Sequence, residues 1–227
     1  MERIGDILQN CQKGTATPSA HTIRDFPDEP EYKPDLAKSL GVMSLNNTFS
    51  NFESVPGTER AIFAIKRVID NYTGETSAPG PEFMMMVYGG VGNGKTHLLE
   101  AASLELYSRG KFIRVQRFSE LLSNLRAAID NPERSYDQSL AGCCYTERLL
   151  IDDIGAAGSL NDFGQRVLES IVVARYGRSL LTIMTSNVDI KDLPERVVSR
   201  FEDTVTSFLV LNEGKDYRPH RSRKEEV

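Results

Sequence analysis

The spacing of hydrophobic residues along the chain changes repeatedly between helical and strand patterns. Between residues 60 and 72 the apolar positions Ala61, Ile65, Val68 and Ile69 recur at helical spacing, which predicts a helix with one face in the core. Residues 83–88 form a continuous apolar run whose length is typical of a buried strand. The same signals predict further helices at 95–109, 119–130, 163–176 and 194–201, and further strands at 112–116, 148–151, 180–185 and 205–211. This alternation predicts an α/β fold in which a parallel sheet carries helices on both faces.

The first 47 residues follow a different pattern. Ile4, Ile7, Leu8 and Cys11 form one narrow helical stripe, and a linker punctuated by proline and acidic residues follows it. We therefore predict a helix and linker at 1–47 and a folded domain at 48–227. An amphipathic helix on a flexible tether suits docking into a groove of a second protein; a helix that frays or folds back on its own domain is the alternative.

Composition narrows the classes of protein to which the chain can belong. Of its 227 residues, 40% are hydrophobic and 26% are charged, as in ordinary globular proteins. No apolar run approaches the roughly 20 residues of a membrane-spanning helix, and no secretory signal is visible, so we expect a cytoplasmic protein without a membrane partner. The three cysteines lack the paired spacing of a disulfide framework or a zinc site. A net charge of −5 argues against strong nonspecific attraction to nucleic acid, although a local basic patch can still bind it.

A phosphate-binding pattern lies between the predicted strand 83–88 and the predicted helix 95–109. Residues 89–96 read G-G-V-G-N-G-K-T, which matches G-x-x-x-x-G-K-[ST] in its expected structural context. The glycines let backbone N–H groups converge on phosphate oxygens, the Lys95 ammonium neutralises the β- and γ-phosphates, and the Thr96 hydroxyl binds Mg²⁺. We therefore predict that ATP is bound by Gly89, Gly90, Val91, Gly92, Asn93, Gly94, Lys95, Thr96 and His97.

Two acids follow a later apolar strand. The run 149–153 ends in Asp152 and Asp153, at the strand edge where ligands of parallel sheets bind. A phosphate loop needs a carboxylate on a neighbouring strand to hold its metal. We assign Asp152 to Mg²⁺ coordination and Asp153 to polarising the attacking water.

A third apolar strand ends in T-S-N at residues 185–187. The Asn187 amide would reach the same sheet edge and could orient the attacking water beside the γ-phosphate. Capping of the next turn by Asn187 is an equally good interpretation. Further on, Arg196 and Arg200 lie four residues apart on one helix face and can point at one target, although solvated surface arginines are the default for such a pair.

These elements, in this order, resemble the AAA+ ATPases. Within that class they are similar to bacterial replicative-helicase loaders of the DnaC and DnaI type, with IstB-type transposition helpers as close relatives. The resemblance covers about residues 47–223, although this loop has Val91 where the family usually has proline. The stretches that carry it are Y-G-G-V-G-N-G-K-T-H-L at 88–98, L-L-I-D-D-I-G at 149–155, T-S-N at 185–187, E-R-V-V-S-R-F at 195–201 and G-K-D-Y-R at 214–218.

The resemblance implies specific roles and partners. Asn187 matches sensor 1, Arg200 matches the arginine finger that reaches the ATP of a neighbouring subunit, and Arg218 resembles a late ATP-sensing arginine. The implied fold is an AAA+ core without a large C-terminal lid. The implied cofactors are ATP and Mg²⁺, and the implied partners are a replicative DnaB-like helicase, single-stranded DNA and further copies of the chain with ATP at their interfaces.

Several functions remain open at this stage. A helicase loader is the main hypothesis, an IstB-like transposition helper is the alternative, and an ATP-binding adaptor with negligible turnover is a third. A small-molecule kinase is a further class, but it would need a mobile arginine lid and an acceptor site, whereas Asn187 and Arg200 match an ATPase whose site lies between subunits. Candidate contacts to DNA phosphates, for which a solvated surface charge is the favoured interpretation, are Lys111, Arg114, Arg117, Arg126, Arg221, Arg223 and Lys224.

Overall fold

A computed structural model describes residues 37, 40–54, 56–74, 80–129 and 135–217. The α-helices whose two ends fall in these ranges are α1 Glu59–Thr73, α2 Lys95–Ser108, α3 Phe118–Ile129, α4 Tyr136–Tyr145, α5 Asp162–Tyr176 and α6 Glu195–Phe201. The strands in the same ranges are β1 Met84–Tyr88, β2 Arg114–Arg117, β3 Arg148–Ile154, β4 Leu181–Ser186 and β5 Ser207–Leu211. Short 3₁₀ helices lie at Ala156–Gly158 and Ile190–Asp192. No helix in these ranges is long and apolar enough to cross a membrane.

The strands form one parallel sheet in the order β2-β3-β4-β1-β5. Residues of β1 alternate between two hydrophobic clusters, because side chains of a strand point alternately to opposite faces of a sheet. Met84 and Met86 pack with α3, α4, α5 and α6, whereas Met85 and Val87 pack with α1 and α2. Both faces of the sheet are therefore covered, which confirms the predicted α/β architecture.

The helix and strand assignments agree with the sequence patterns within a few residues, except that one helix was missed. Helix α4 is capped at its N-terminus by Ser135, whose side chain accepts a hydrogen bond from the Gln138 N–H. Only Cys143 and Cys144 are buried along it. So few buried positions leave no helical stripe that the sequence pattern could reveal.

The sheet order corrects one expectation about the site. The strand that carries Asp152 was expected to neighbour the strand of the phosphate loop. In the structure β4 pairs with β1 on one side and with β3 on the other, so β3 is one strand further away. The acid can still reach the loop because all the strands are parallel and their carboxyl ends lie at one edge.

Packing against the sheet begins before residue 48. Leu40 and Val42 are buried in the cluster formed with α1 and α2. The proposed docking helix, with Ile4, Ile7, Leu8 and Cys11, lies outside the described residues. Its role as a separate docking segment stays a prediction.

Candidate nucleotide site

The phosphate loop joins β1 to α2, and three of its glycines have a backbone conformation that would be strained in any other residue. Gly89, Gly92 and Gly94 have φ values of 143°, 74° and 87°, in the region that disfavours side chains. A Cβ atom on Gly89 would lie 2.5 Å from the Asn212 carbonyl oxygen, and one on Gly94 would lie 2.7 Å from the Phe52 ring. Conformation and close packing therefore both require glycine at these two positions.

The two polar residues that open α2 are held inside the site. Lys95 is only 5% exposed, and its ammonium donates to the carbonyl oxygens of Gly89 at 2.9 Å and Gly90 at 2.5 Å. The Thr96 hydroxyl donates to a carboxylate oxygen of Asp152 at 3.3 Å. The loop, the lysine and the acid on β3 thus form one connected polar cluster.

The two acids lie on the same side of the sheet because β3 is irregular there. In a regular strand, adjacent side chains would point to opposite faces. The pairing of β3 with β4 shifts register between Ile151 and Ile154, and Asp153 has a φ of 66°. This bulge turns Asp153 back, so that both carboxyl groups line the same cavity.

Burial dominates the electrostatics of Asp152. This carboxyl group is 5% exposed, and burial raises its pKa above the ordinary value. Hydrogen bonds from Thr185, at 2.5 Å, and from Thr96 act in the opposite direction, because they stabilise the carboxylate. The nearby charge of Asp153 adds to the increase, and that of Arg117 opposes it.

Asn187 reaches this acid pair. Its side-chain amide donates to a carboxylate oxygen of Asp153, and its backbone N–H donates to Ile154 at 3.0 Å. The next turn is capped by another residue, since the Asp189 side chain accepts from the Lys191 N–H. Of the two interpretations of Asn187, the structure therefore favours the one that places its amide in the site.

Part of the cavity wall comes from a segment that the sequence pattern did not identify. The cavity has a volume of about 1240 Å³. Glu100 on α2 is 3% exposed and accepts hydrogen bonds from the Met43 N–H and the Asn47 amide, both at 2.6 Å. Its burial beside these donors fixes the segment 43–53 over the start of α2. The segment contributes Met43, Ser44, Asn47, Asn51, Phe52 and Glu53 to the wall.

His97 positions the same segment. Its Nε2 atom lies 2.9 Å from the Thr48 carbonyl oxygen, and the Phe52 ring meets its imidazole edge-on with centroids 5.0 Å apart. His97 also lines the cavity. It was predicted as part of the loop, and its contacts show that it also positions the wall.

The chain after β5 is joined to the phosphate loop by hydrogen bonds. Asn93 and Asn212 exchange two hydrogen bonds of 2.9 Å, each side-chain amide donating to the other residue's carbonyl oxygen. Further on, the Tyr217 N–H donates to Gly92 at 3.0 Å, and the Tyr217 hydroxyl donates to the Glu53 carboxylate. Arg218, the predicted ATP-sensing arginine, lies outside the described residues.

Arg200 does not line this cavity. Its guanidinium lies 5.7 Å from the ring centroid of Tyr176 and donates to the Arg196 carbonyl oxygen at 2.5 Å. Neither Arg196 nor Arg200 is among the residues that line the cavity. A role for Arg200 at the ATP of a neighbouring subunit stays a prediction.

The predicted DNA-contacting residues are not all in one place. Arg117 lines the cavity. Arg126 lies over the Phe163 ring, with its guanidinium carbon 5.0 Å from the centroid. Arg221, Arg223 and Lys224 lie outside the described residues.

The oxygen ligands in the cavity fit Mg²⁺. The Thr96 hydroxyl and the Asp152 carboxylate share a hydrogen bond, and both are the hard oxygen ligands that this ion prefers. No cluster of three or more His, Cys, Asp or Glu side chains occurs among the described residues. A magnesium ion bound with nucleotide needs no such cluster, because phosphate oxygens and water complete its octahedral shell.

Comparison with known proteins identifies the family. A family model described as the bacterial DnaA ATPase domain matches residues 43–207. The chain belongs to this family. The DnaA-type match begins at Met43 and so includes the wall segment. The predicted AAA+ class is thereby confirmed, whereas the narrower loader type is not decided by this match.

Individual relatives show how much of this DnaA-type chain is shared. The chromosomal replication initiator protein DnaA of Bordetella pertussis is 28% identical over 169 residues, which cover 70% of this chain and 33% of the relative. The chain thus spans about a third of that relative's length.

Two solved structures share the fold. One is a replication initiator DnaA bound to AMPPCP and single-stranded DNA, with a TM-score of 0.63 and 23% identity over 76% of this chain and 51% of that one. The other is the DnaC helicase loader, with a TM-score of 0.58 and 21% identity over 74% of this chain and 98% of that one. The chain therefore has the AAA+ P-loop fold.

Proposed function

We propose that the chain is an ATP-dependent helicase loader for DNA replication. In this proposal it binds ATP and Mg²⁺, assembles with further copies of itself, and helps to place a DnaB-like helicase on single-stranded DNA in the cytoplasm. The observation that carries the proposal is the convergence of the phosphate loop, the two acids and Asn187 on one cavity. Membership of the DnaA ATPase domain family supports the link to replication, and the fold shared with a helicase loader supports the choice of partner.

The proposed chemistry assigns one task to each polar side chain. Lys95 neutralises phosphate charge, while Thr96 and Asp152 hold Mg²⁺. Asp153 accepts a proton as water attacks the γ-phosphorus and the bond to the bridging oxygen breaks, and Asn187 orients that water. Arg200 supplies positive charge from a neighbouring subunit. Magnesium contributes charge neutralisation when it is bound.

Lys95→Ala tests the nucleotide site. The variant should lose ATP binding, because no other cation in the loop can neutralise the β- and γ-phosphates. Isothermal titration with Mg²⁺–ATP measures the effect. Lys191→Ala is the matched control, since this lysine side chain is 76% exposed and makes only a 3.8 Å ion pair with Asp189. Binding by Lys95→Ala at the wild-type level would refute the proposal.

The proposed partner is tested at the N-terminal helix. Ile7→Asp combined with Leu8→Asp should abolish co-purification with the replicative helicase, because both anchors lie on the apolar stripe proposed to dock in a groove of the helicase. ATP binding should be unchanged. If the helicase is still retained, or if ATP binding is lost with it, the docking model fails. Retention of a transposase instead of the helicase would favour the transposition-helper alternative.

A further inference from the structure

Arg117 is a cation of the cavity that the proposed chemistry does not use. It is the last residue of β2 and lies in register with Asp152 on the neighbouring parallel strand. Side chains in register on parallel strands project from the same face of the sheet. Arg117 accordingly lines the cavity together with Lys95, Thr96 and both acids.

Arg117 is half-buried, and its guanidinium makes no side-chain hydrogen bond or ion pair with another residue that the structure describes. Its positive charge acts on the neighbouring Asp152, whose pKa it lowers. Other arginines are engaged: Arg109 pairs with Asp70 and Glu105 at 2.8 Å, and Arg148 pairs with Glu147 at 2.6 Å. Its planar fork of N–H donors is therefore available to an anion in the cavity.

The position of Arg117 in the sheet indicates which phosphate of a bound nucleotide it could contact. In a phosphate loop, the lysine and the threonine-bound metal lie at the β- and γ-phosphates, so the terminal phosphate is directed towards the acids. Arg117 lies beside Asp152, on the side away from the loop strand, because β2 is the edge strand next to β3. We therefore expect an anion to contact Arg117 only if it extends from the loop past Asp152.

We propose that Arg117 binds the terminal phosphate of the nucleoside triphosphate within its own subunit, and so distinguishes triphosphate from diphosphate. This inference rests on the proposed nucleotide site and adds a contact to it. The Arg117 site is separate from that of Arg200, which lies outside the cavity of its own chain. It also differs from the DNA-binding interpretation of Arg117, because the side chain faces the cavity.

Titration of the full chain with Mg²⁺–AMPPCP and with Mg²⁺–ADP tests this site. Arg117→Gln should weaken AMPPCP binding about tenfold or more while changing ADP binding less than about twofold, because the charge-assisted bonds form only with the terminal phosphate. Arg117→Lys keeps the charge but loses the fork, so it should show a smaller loss, about threefold, for AMPPCP alone. Arg166→Gln, an exposed position on α5, is the matched control and should bind both nucleotides like the wild type.

The outcomes separate this inference from the proposed function. If the wild type binds neither nucleotide, both are overturned. If the wild type binds both and Arg117→Gln loses neither, or loses both equally, only the inference about Arg117 is overturned. Reduced binding of oligo(dT) with an unchanged ratio of AMPPCP to ADP affinity would also overturn it, in favour of a DNA contact. Circular dichroism verifies folding, and Arg117→Lys carries the test if the glutamine variant unfolds.

Discussion

At the scale of single residues, the Asp152 carboxylate that is proposed to hold Mg²⁺ also lowers the free energy of unfolding, because it is buried. Its carboxyl group is buried beside a second acid, and burial raises its pKa. The ionised form is therefore less stable in the folded chain than in the unfolded one. This penalty is fully present above the raised folded-state pKa and disappears as the pH falls below the ordinary value of an aspartate.

Asp152→Asn should remove this penalty. At neutral pH we expect the free energy of unfolding without nucleotide to rise by about 1 kcal/mol, because the neutral amide oxygen can still accept from Thr96 and Thr185. The gain should vanish in acid, where Asp152 is itself protonated. Urea unfolding at several pH values measures it. Stimulation of ATP binding by Mg²⁺ should be lost in the same variant.

Asp153→Asn is the comparison variant for the role of Asp152. Asparagine tolerates the left-handed conformation of Asp153, whose φ is 66°, so the bulge should persist. This variant should bind Mg²⁺–ATP and lose turnover. Equal losses of binding in the two variants would contradict the separate roles assigned to the acids.

At the scale of elements, one buried arginine joins α5 to the end of α4, to the loop before β3 and to β4. Arg175 is fully buried, and desolvation lowers its pKa to about 10, so it remains charged at neutral pH. Its guanidinium donates to the carbonyl oxygens of Cys143, Thr146 and Leu181 at 2.6–2.8 Å. This one side chain thus provides hydrogen-bond donors for backbone carbonyl oxygens at the end of α4 and in the loop before β3.

Arg175→Leu should destabilise the fold by about 3–5 kcal/mol, because several buried carbonyl oxygens would lose their donors together. Arg178→Leu is the control on the same helix end, where the guanidinium lies over the exposed Tyr145 ring; it should cost less than about 1 kcal/mol. Chemical denaturation of both variants measures the difference. Similar losses would show that Arg175 contributes no more than an ordinary surface arginine.

At the scale of the whole molecule, the position of Arg200 bears on the proposed assembly of several copies of the chain. Its guanidinium lies over Tyr176, and Tyr176 in turn donates to Asp203 at 2.5 Å. Tyr176 ends α5 and Arg200 lies on α6, and none of these three residues lines the chain's own cavity. The proposed role of Arg200 in ATP hydrolysis therefore requires a site in another copy of the chain.

Mixing Arg200→Ala with Lys95→Ala should therefore restore part of the ATPase activity that each variant lacks alone. A mixed interface can pair an intact Lys95 site with an intact Arg200, which supplies the missing charge to the γ-phosphate. Steady-state phosphate release, measured across mixing ratios, shows the rescue. Absence of rescue between folded, co-assembled proteins would place Arg200 outside the reaction.

The sequence by itself determined the phosphate loop, the two acids and, apart from α4, the order of strands and helices along the chain. These features depend on neighbours in the chain: apolar periodicity, glycines in a turn, and a lysine and threonine at the first positions of a helix. Each of these features arises from interactions between residues close in sequence, which are the same in any fold. The sequence pattern is therefore sufficient to predict them.

Only the tertiary structure decided which distant residues complete the site. Glu100 binds Asn47, and Asn93 pairs with Asn212 across 119 positions of sequence. Such partners leave no periodic signal, because packing of the sheet brings them together. The bulge at Asp153 and the direction of Arg117 into the cavity were likewise decided by the register between strands, which is set by the folded sheet as a whole.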